Sequence, residues 1–312
     1  MHPKLNEILG RIGNGTDVIV YAGPIRETLG NDLFKCCRRR EGKRAILFLT
    51  TGGGDPHAAF RIARCLQIRY EEGFSILINT FCKSAGTLVA IGAKEIIMSD
   101  MAELGPLDVQ IPKTNELVAQ TSGLELSHAL AWIGDYAFSI FEQYFLQIAV
   151  RSGGQISTAS AIQAATKMAV GFMKPIYEQI DPMRIGEVDR AMKIASDYGI
   201  RLNQGNLKED ALDQLISEYP DHNFVIDRGE AKELFRNVRP PSDAEGELAE
   251  LVQSLVEDAL ESGDSLIVNL SKNGEDNAAN GGEPDNLPEE TKQADEAAPE
   301  DNVHRDDDEE DL

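Results

Sequence analysis

A serine at a strand-to-helix turn and a run of three glycines at another such turn are the residues here that could carry out acyl transfer. The serine is Ser84, in Cys82-Lys83-Ser84-Ala85-Gly86-Thr87, and the glycines are Gly52, Gly53 and Gly54, in Thr50-Thr51-Gly52-Gly53-Gly54-Asp55-Pro56. N–H groups at the head of a helix stabilise negative charge, and glycine lets a backbone N–H approach a substrate with no Cβ in the way. Side by side, the amides of Gly53 or Gly54 and of Ala85 would form an oxyanion hole beside a Ser84 nucleophile. The motif is not the G-x-S-x-G elbow, because Cys82 stands where the first glycine would be. Each turn alone has a plainer reading, Ser84 as a helix N-cap and the glycines as a simple turn. Their pairing favours the chemistry.

The elements around these turns are legible from apolar patterning. Ala45–Leu49 precedes the glycines and Ser75–Thr80 precedes the serine, both as strands; Ala58–Leu66 and Leu88–Ala93 follow as helices. The unit recurs after about 32 residues, as expected of successive βα units in a parallel sheet. Leu5–Ile12 predicts a short helix, Val18–Tyr21 a first strand, Leu29–Cys37 a helix and Glu95–Met98 another strand. Helical patterns then run over 125–150, 158–171, 173–180, 184–198 and 207–219, giving a helical layer beside the sheet. Ile133, Phe138, Phe141, Phe145 and Leu146 form an apolar stripe in it that suits an interface or a core.

With those motifs in hand, the chain resembles the Clp and signal-peptide-peptidase-A superfamily of serine peptidases, and within it the serine dehydrogenase proteinase family. The resemblance rests on Thr51-Gly52-Gly53-Gly54, on Lys83-Ser84-Ala85-Gly86-Thr87, on Ile96-Ile97-Met98 and on Leu104-Gly105-Pro106-Leu107-Asp108. It extends to Tyr219–Ile226 and Gly229–Leu234, covering roughly residues 20 to 240. It implies an α/β fold of the Clp/crotonase type, a spiral of βα units with a flanking helical layer. It also implies hydrolysis of a peptide or protein substrate through a Ser84 acyl-enzyme, and assembly into a homo-oligomer. A crotonase-like acyl-CoA enzyme and a catalytically inactive peptide-binding scaffold are the alternatives.

The base is less determined. No histidine lies between Ser84 and His128, so the Clp order of Ser, His, Asp is not met. The serine dehydrogenase proteinase family has the order Ser, Asp, His, which Ser84, Asp108 and His222 can supply. In that reading Asp108 orients His222, which takes the proton from Ser84. His222 lies in a polar loop before a short expected strand, Phe224–Ile226. His57, three residues after Gly54, is the alternative base, and His128 sits within a long helical pattern as a structural residue. A Ser-Lys dyad would need a buried lysine, with Lys113, Lys167 and Lys174 as candidates; Lys83 adjoins Ser84 and is a poor base, since neighbours in a turn point apart.

Composition bounds the rest. In 312 residues the net charge is −23, but from Pro241 onward there are 24 acidic against 3 basic residues, leaving 29 against 27 in the body. The acidity therefore belongs to a tail and says nothing of the active site. We divide the chain into a peptidase domain over 1–240, an amphipathic helix and edge strand over 241–270, and an acidic tail over 271–312 expected to be disordered. Arg38-Arg39-Arg40 has no aromatic interleaving, so nucleic-acid binding is not expected. Four cysteines without a C-x-x-C pair, no leader pattern and no uncharged apolar run long enough to span a bilayer point to a cytoplasmic protein. No His or Cys cluster has ligand spacing and the glycine run lacks the phosphate-loop pattern, so neither metal nor cofactor is expected.

Overall fold

The computed structural model describes residues 3–271 except 39, 108–109, 113–119 and 264, and no side chain at 3, 29–30 or 108–129. All fall in the first of two compact units, Met1–Asn277; the acidic tail expected from 272 onward lies outside the described residues.

Three βα steps and a fourth strand build the centre. The strands are β1 (Thr16–Ala22), β2 (Arg44–Thr50), β3 (Phe74–Ile78) and β5 (Glu95–Met98), parallel and neighbouring in that order. Between them run the helices α2 (Glu27–Arg38), α3 (Pro56–Arg69) and α4 (Ala85–Ile91). β9 (Val238–Arg239) extends the sheet in parallel beside β5, and β10 (Leu266–Asn269) closes the β1 edge antiparallel, giving six strands. Every residue of β1 is buried, because both faces of the sheet are covered; its one charged residue, Asp17, accepts from the N–H groups of Glu41 and Gly42 and from the Tyr70 hydroxyl.

Alternate residues feed two cores. Ile19, Tyr21, Leu47, Leu49, Ile76 and Met98 pack against α2, α3 and α4. Val18, Val20, Ile46, Phe48, Leu77 and Ile97 pack against α1 (Pro3–Ile12) and α10 (Asp243–Ser262). Each large side chain so buried contributes about 1.5–3 kcal/mol. Residues 243–270 are thereby integral to the sheet's second core and edge, within the same unit as the residues before them.

Beyond β5 come β6 (Glu103–Leu104), a hairpin of β7 (Gln110–Pro112) with β8 (Gln120–Ser122), and three long helices, α5 (Gly123–Arg151), α6 (Thr158–Tyr177) and α7 (Pro182–Leu202). α5 and α6 pack on each other around Ile140, Ala169 and Met173, a small core separate from the sheet's two. Three expectations need correction. The helix expected to break near Gly171 runs through it, since one glycine costs only about 1 kcal/mol against the packing of Ala169 and Met173 on α5. The helix expected over 207–219 shrinks to α8 (Ala211–Ser217), because Leu207 and Lys208 pair with the backbone of Phe235 and Leu234 at the end of α9 (Arg228–Leu234). Phe224–Ile226 forms no strand; only Ile226 pairs, antiparallel with Leu104.

Candidate active site

The two turns singled out by sequence do meet, at the carboxyl ends of β2 and β3. After β3 the chain makes a two-residue strand, β4 (Phe81–Cys82), which pairs with β6. Thr51, leaving β2, pairs in parallel with Cys82: its N–H donates to Phe81 O at 3.1 Å, and Lys83 N–H donates to Thr51 O at 2.9 Å. Contact follows directly. A Cβ placed on Gly53 would stand 2.8 Å from Ser84 Cβ and 3.2 Å from Ser84 Oγ. Gly53 has φ +109, so its lack of a side chain is required twice, by the backbone and by the serine.

Ser84 occupies the N-cap position of α4 but is not an ordinary cap. Its backbone sits at φ 51, ψ −116, and its side chain does not cap the helix. The N-caps Asp55, Ser157, Asp181, Asp227 and Ser242 all have extended backbone and accept a bond from the following turn. Asp210 also has positive φ, but at φ 61, ψ −11 it lies in the common left-handed well. A non-glycine residue in Ser84's region costs about 1–3 kcal/mol, held by the pairings on both sides. The conformation aims a half-buried hydroxyl away from its own helix and toward Gly53.

The amides around it are unequal. Gly53 N–H already donates to Thr51 Oγ1 at 3.1 Å, so a substrate oxygen there would have to share or displace that hydroxyl. Gly54 is braced from the far side, where Ile25 N–H donates to Gly53 O at 2.8 Å and Asp55 N–H to Ile25 O at 2.9 Å. Ala85 is buried and opens α4. Thr87 Oγ1 donates to Gly105 O at 2.7 Å, holding β6's exit loop against the serine turn. Burial pushes the neighbouring Cys82 thiol well up, which keeps it protonated beside the serine. Sequence reading missed Thr51, Thr87 and Ile25 as supports; only Thr51, a hydroxyl just before glycines, carries a local signal.

One transverse row of backbone pairing collects the remaining segments: Thr51 with Cys82, Cys82 with Leu104, Leu104 with Ile226. The row ends four residues after His222. Leu107 N–H donates to Leu215 O at 2.8 Å, which runs the chain toward α8, from whose far end the His222 loop leaves. Asp108 itself lies outside the described residues, as do Lys113 and the side chain of His128. His222 is partly buried in that loop. His57 flanks the glycine turn on α3, exposed, with its Nδ1 2.7 Å from the Tyr198 hydroxyl on α7. Lys83 forms an ion pair with Glu103 at 2.6 Å, and Lys174 a loose exposed one with Glu178 at 3.6 Å. Among the described residues no group of His, Cys, Asp and Glu could hold a metal ion, and no helix is long and apolar enough to cross a membrane.

The chain is an α/β protein with a mostly parallel sheet and flanking helices. No family model matches it. An uncharacterised protein of Methanocaldococcus jannaschii is 38% identical over 65 residues, 21% of this chain and 22% of that protein. The chain thus spans about a fifth of that relative's length. Among solved structures, two mutants of the 1510-N membrane-bound stomatin-specific protease are similar. One, at 17% identity and a TM-score of 0.29, covers 49% of this chain and 69% of that one. The other, bound to a substrate peptide, has 16% identity and a TM-score of 0.29, covering 76% and 96%. An enoyl-CoA hydratase/isomerase of Acinetobacter baumannii has 13% identity and a TM-score of 0.26, covering 61% and 94%. Likeness at this level carries nothing about activity; the site geometry must.

Proposed function

We propose that the chain is a serine peptidase of the Clp/crotonase type, with Ser84 as nucleophile, His222 as base and Asp108 as the group that orients it. The observation that carries the reading is the strained, non-capping Ser84 in contact with Gly53. A capping serine needs no such backbone, whereas a nucleophile that must clear its own helix does. The sequence resemblance to the serine dehydrogenase proteinase family adds the order Ser, Asp, His. The backbone row from Thr51 to Ile226 supports His222 over His57, whose Nδ1 lies against the Tyr198 hydroxyl.

In this mechanism Ser84 Oγ attacks the scissile carbonyl while His222 takes its proton. The new oxyanion is held by the amides of Ala85 and of Gly54, or of Gly53 if the substrate displaces Thr51 Oγ1. Collapse breaks the C–N bond, His222 returns the proton to the departing amine, and water activated by the same histidine releases the acid. The chemistry calls for neither metal nor organic cofactor. We also propose a peptide or protein substrate, a cytoplasmic setting and self-association through α5 and α6.

A fluorophosphonate probe tests the core of this. The full chain is expected to label at Ser84 and to cleave casein or a peptide. Ser84→Ala and His222→Ala should each lose about 10⁴-fold or more of turnover, while His57→Ala stays within a few-fold. Loss with His57→Ala but not His222→Ala reassigns the base. Acyl-CoA turnover that survives Ser84→Ala makes the protein crotonase-like, and no cleavage by a well-folded chain makes it a scaffold.

A further inference from the structure

We infer that Lys83 is a positioning residue, a strut holding the His222 loop against the nucleophile's turn. The inference rests on the reading of Ser84 and His222 given above. The Lys83 stem crosses Gly105: a Cβ on that glycine would lie 2.6 Å from Lys83 Cδ and 3.2 Å from Lys83 Cβ. Its ammonium then pairs with Glu103 on β6 at 2.6 Å. It also donates to the carbonyl oxygens of Asn223 at 3.5 Å and Phe224 at 3.4 Å, the two residues after His222. An ammonium has three donors, and here three acceptors on two different segments surround it. Only 12% of the side chain is exposed. A lysine so covered is not a solvated surface charge.

Within the loop between α8 and α9, Asp221 accepts from the N–H groups of Asn223 at 2.6 Å and Phe224 at 3.3 Å, and the Phe224 ring packs on Tyr219; ties to other segments flank the histidine. Downstream, Ile226 exchanges backbone bonds with Leu104 at 2.9 and 3.0 Å; upstream, the Tyr219 hydroxyl donates to Glu230 at 2.8 Å. His222 lies between these anchors, and Lys83 ties the stretch directly behind it to the turn that carries Ser84. The serine turn has its own supports in Thr51 and Thr87. Losing Lys83 therefore loosens the base relative to the nucleophile and leaves the nucleophile's turn and the glycine turn in place. Catalysis depends steeply on such alignment, with about 10²-fold at stake for a displacement near 1 Å.

The test uses the full chain and three variants. Lys83→Met is expected to lower kcat about 10²-fold with KM changed less than twofold, and to slow fluorophosphonate labelling of Ser84 in parallel. Lys83→Arg, which keeps the charge and the reach to Glu103, recovers most of the rate. Glu103→Gln leaves the lysine in place without its carboxylate, providing a milder variant if Lys83→Met folds poorly; its kcat falls in the same direction by less. Independently of catalysis, amide exchange over 219–227 speeds up in Lys83→Met while α3 and α4 keep their protection. Unchanged exchange over 219–227 overturns the strut, as does a KM effect without a kcat effect, or an arginine variant no better than methionine. Full labelling of Ser84→Ala would instead overturn the assignment of the nucleophile, leaving the exchange result to judge the strut by itself.

Discussion

At position 53 a methyl group has no room. It would press on Ser84 Cβ at 2.8 Å from a backbone already at φ +109. At position 52, one residue earlier, a Cβ would meet nothing within 4 Å. Gly53→Ala is therefore expected to lower stability by about 1–3 kcal/mol and to reduce turnover by at least tenfold, whereas Gly52→Ala should melt and react nearly as the parent does. Melting curves and initial rates on the pair check this, and a Gly53→Ala chain with full activity would break the contact between the two turns. The sequence shows three equivalent glycines, because nothing local says which one meets a side chain 31 positions away. Ser84 stood out for its residue type and its turn, but its unusual backbone follows directly on Cys82 and Lys83, which pair with Thr51 across a long stretch of sequence.

Among elements, α10 shows how an appended helix is fixed. Ser242 and Glu245 form a reciprocal capping box, and Arg239 on β9 bonds both Glu245, at 2.7 and 2.8 Å, and Glu95 on β5, at 2.9 and 3.2 Å. Burial acts to raise the Glu245 pKa, but the Arg239 bonds and the Ser242 N–H together outweigh it and hold the carboxyl below its ordinary 4.5. A depressed carboxylate contributes stability above its unfolded pKa and loses it as pH falls through the folded one. Stability measured by denaturant should thus decline on acidification below about pH 4.5. Arg239→Met is expected to cost about 1 kcal/mol at pH 7, solvent screening of the 38% exposed arginine side chain keeping the loss small, and to flatten that acid limb. An acid limb unchanged in Arg239→Met would refute the link. Periodicity revealed α10, as it did the βα units, because each buries one regular stripe. It could not reveal that Leu207 and Lys208 prefer backbone partners at 235 and 234, nor that Phe224 and Val225 join no strand, since those outcomes depend on neighbours distant in sequence.

At the scale of the whole molecule, α5 and α6 differ from the rest. Trp132 is 61% and Phe138 67% exposed, and between the helices lies an apolar groove of about 500 Å³ lined by Phe141, Val170, Met173 and Tyr177. These exposed rings and the apolar groove are the basis for the self-association proposed above. Phe138→Asp should lower the mass measured by sedimentation without altering the melting temperature by more than a few degrees; an unchanged mass would exclude this face. The opposite flank of the sheet is treated differently. There β10 lies antiparallel along β1 from Ile19 to Ala22, so the first strand offers no open row of backbone donors and acceptors. Leu266–Asn269 thus work as a seam: a chain trimmed before Leu266 is expected to bare the β1 border and to scatter more light on concentration than one that keeps Asn269.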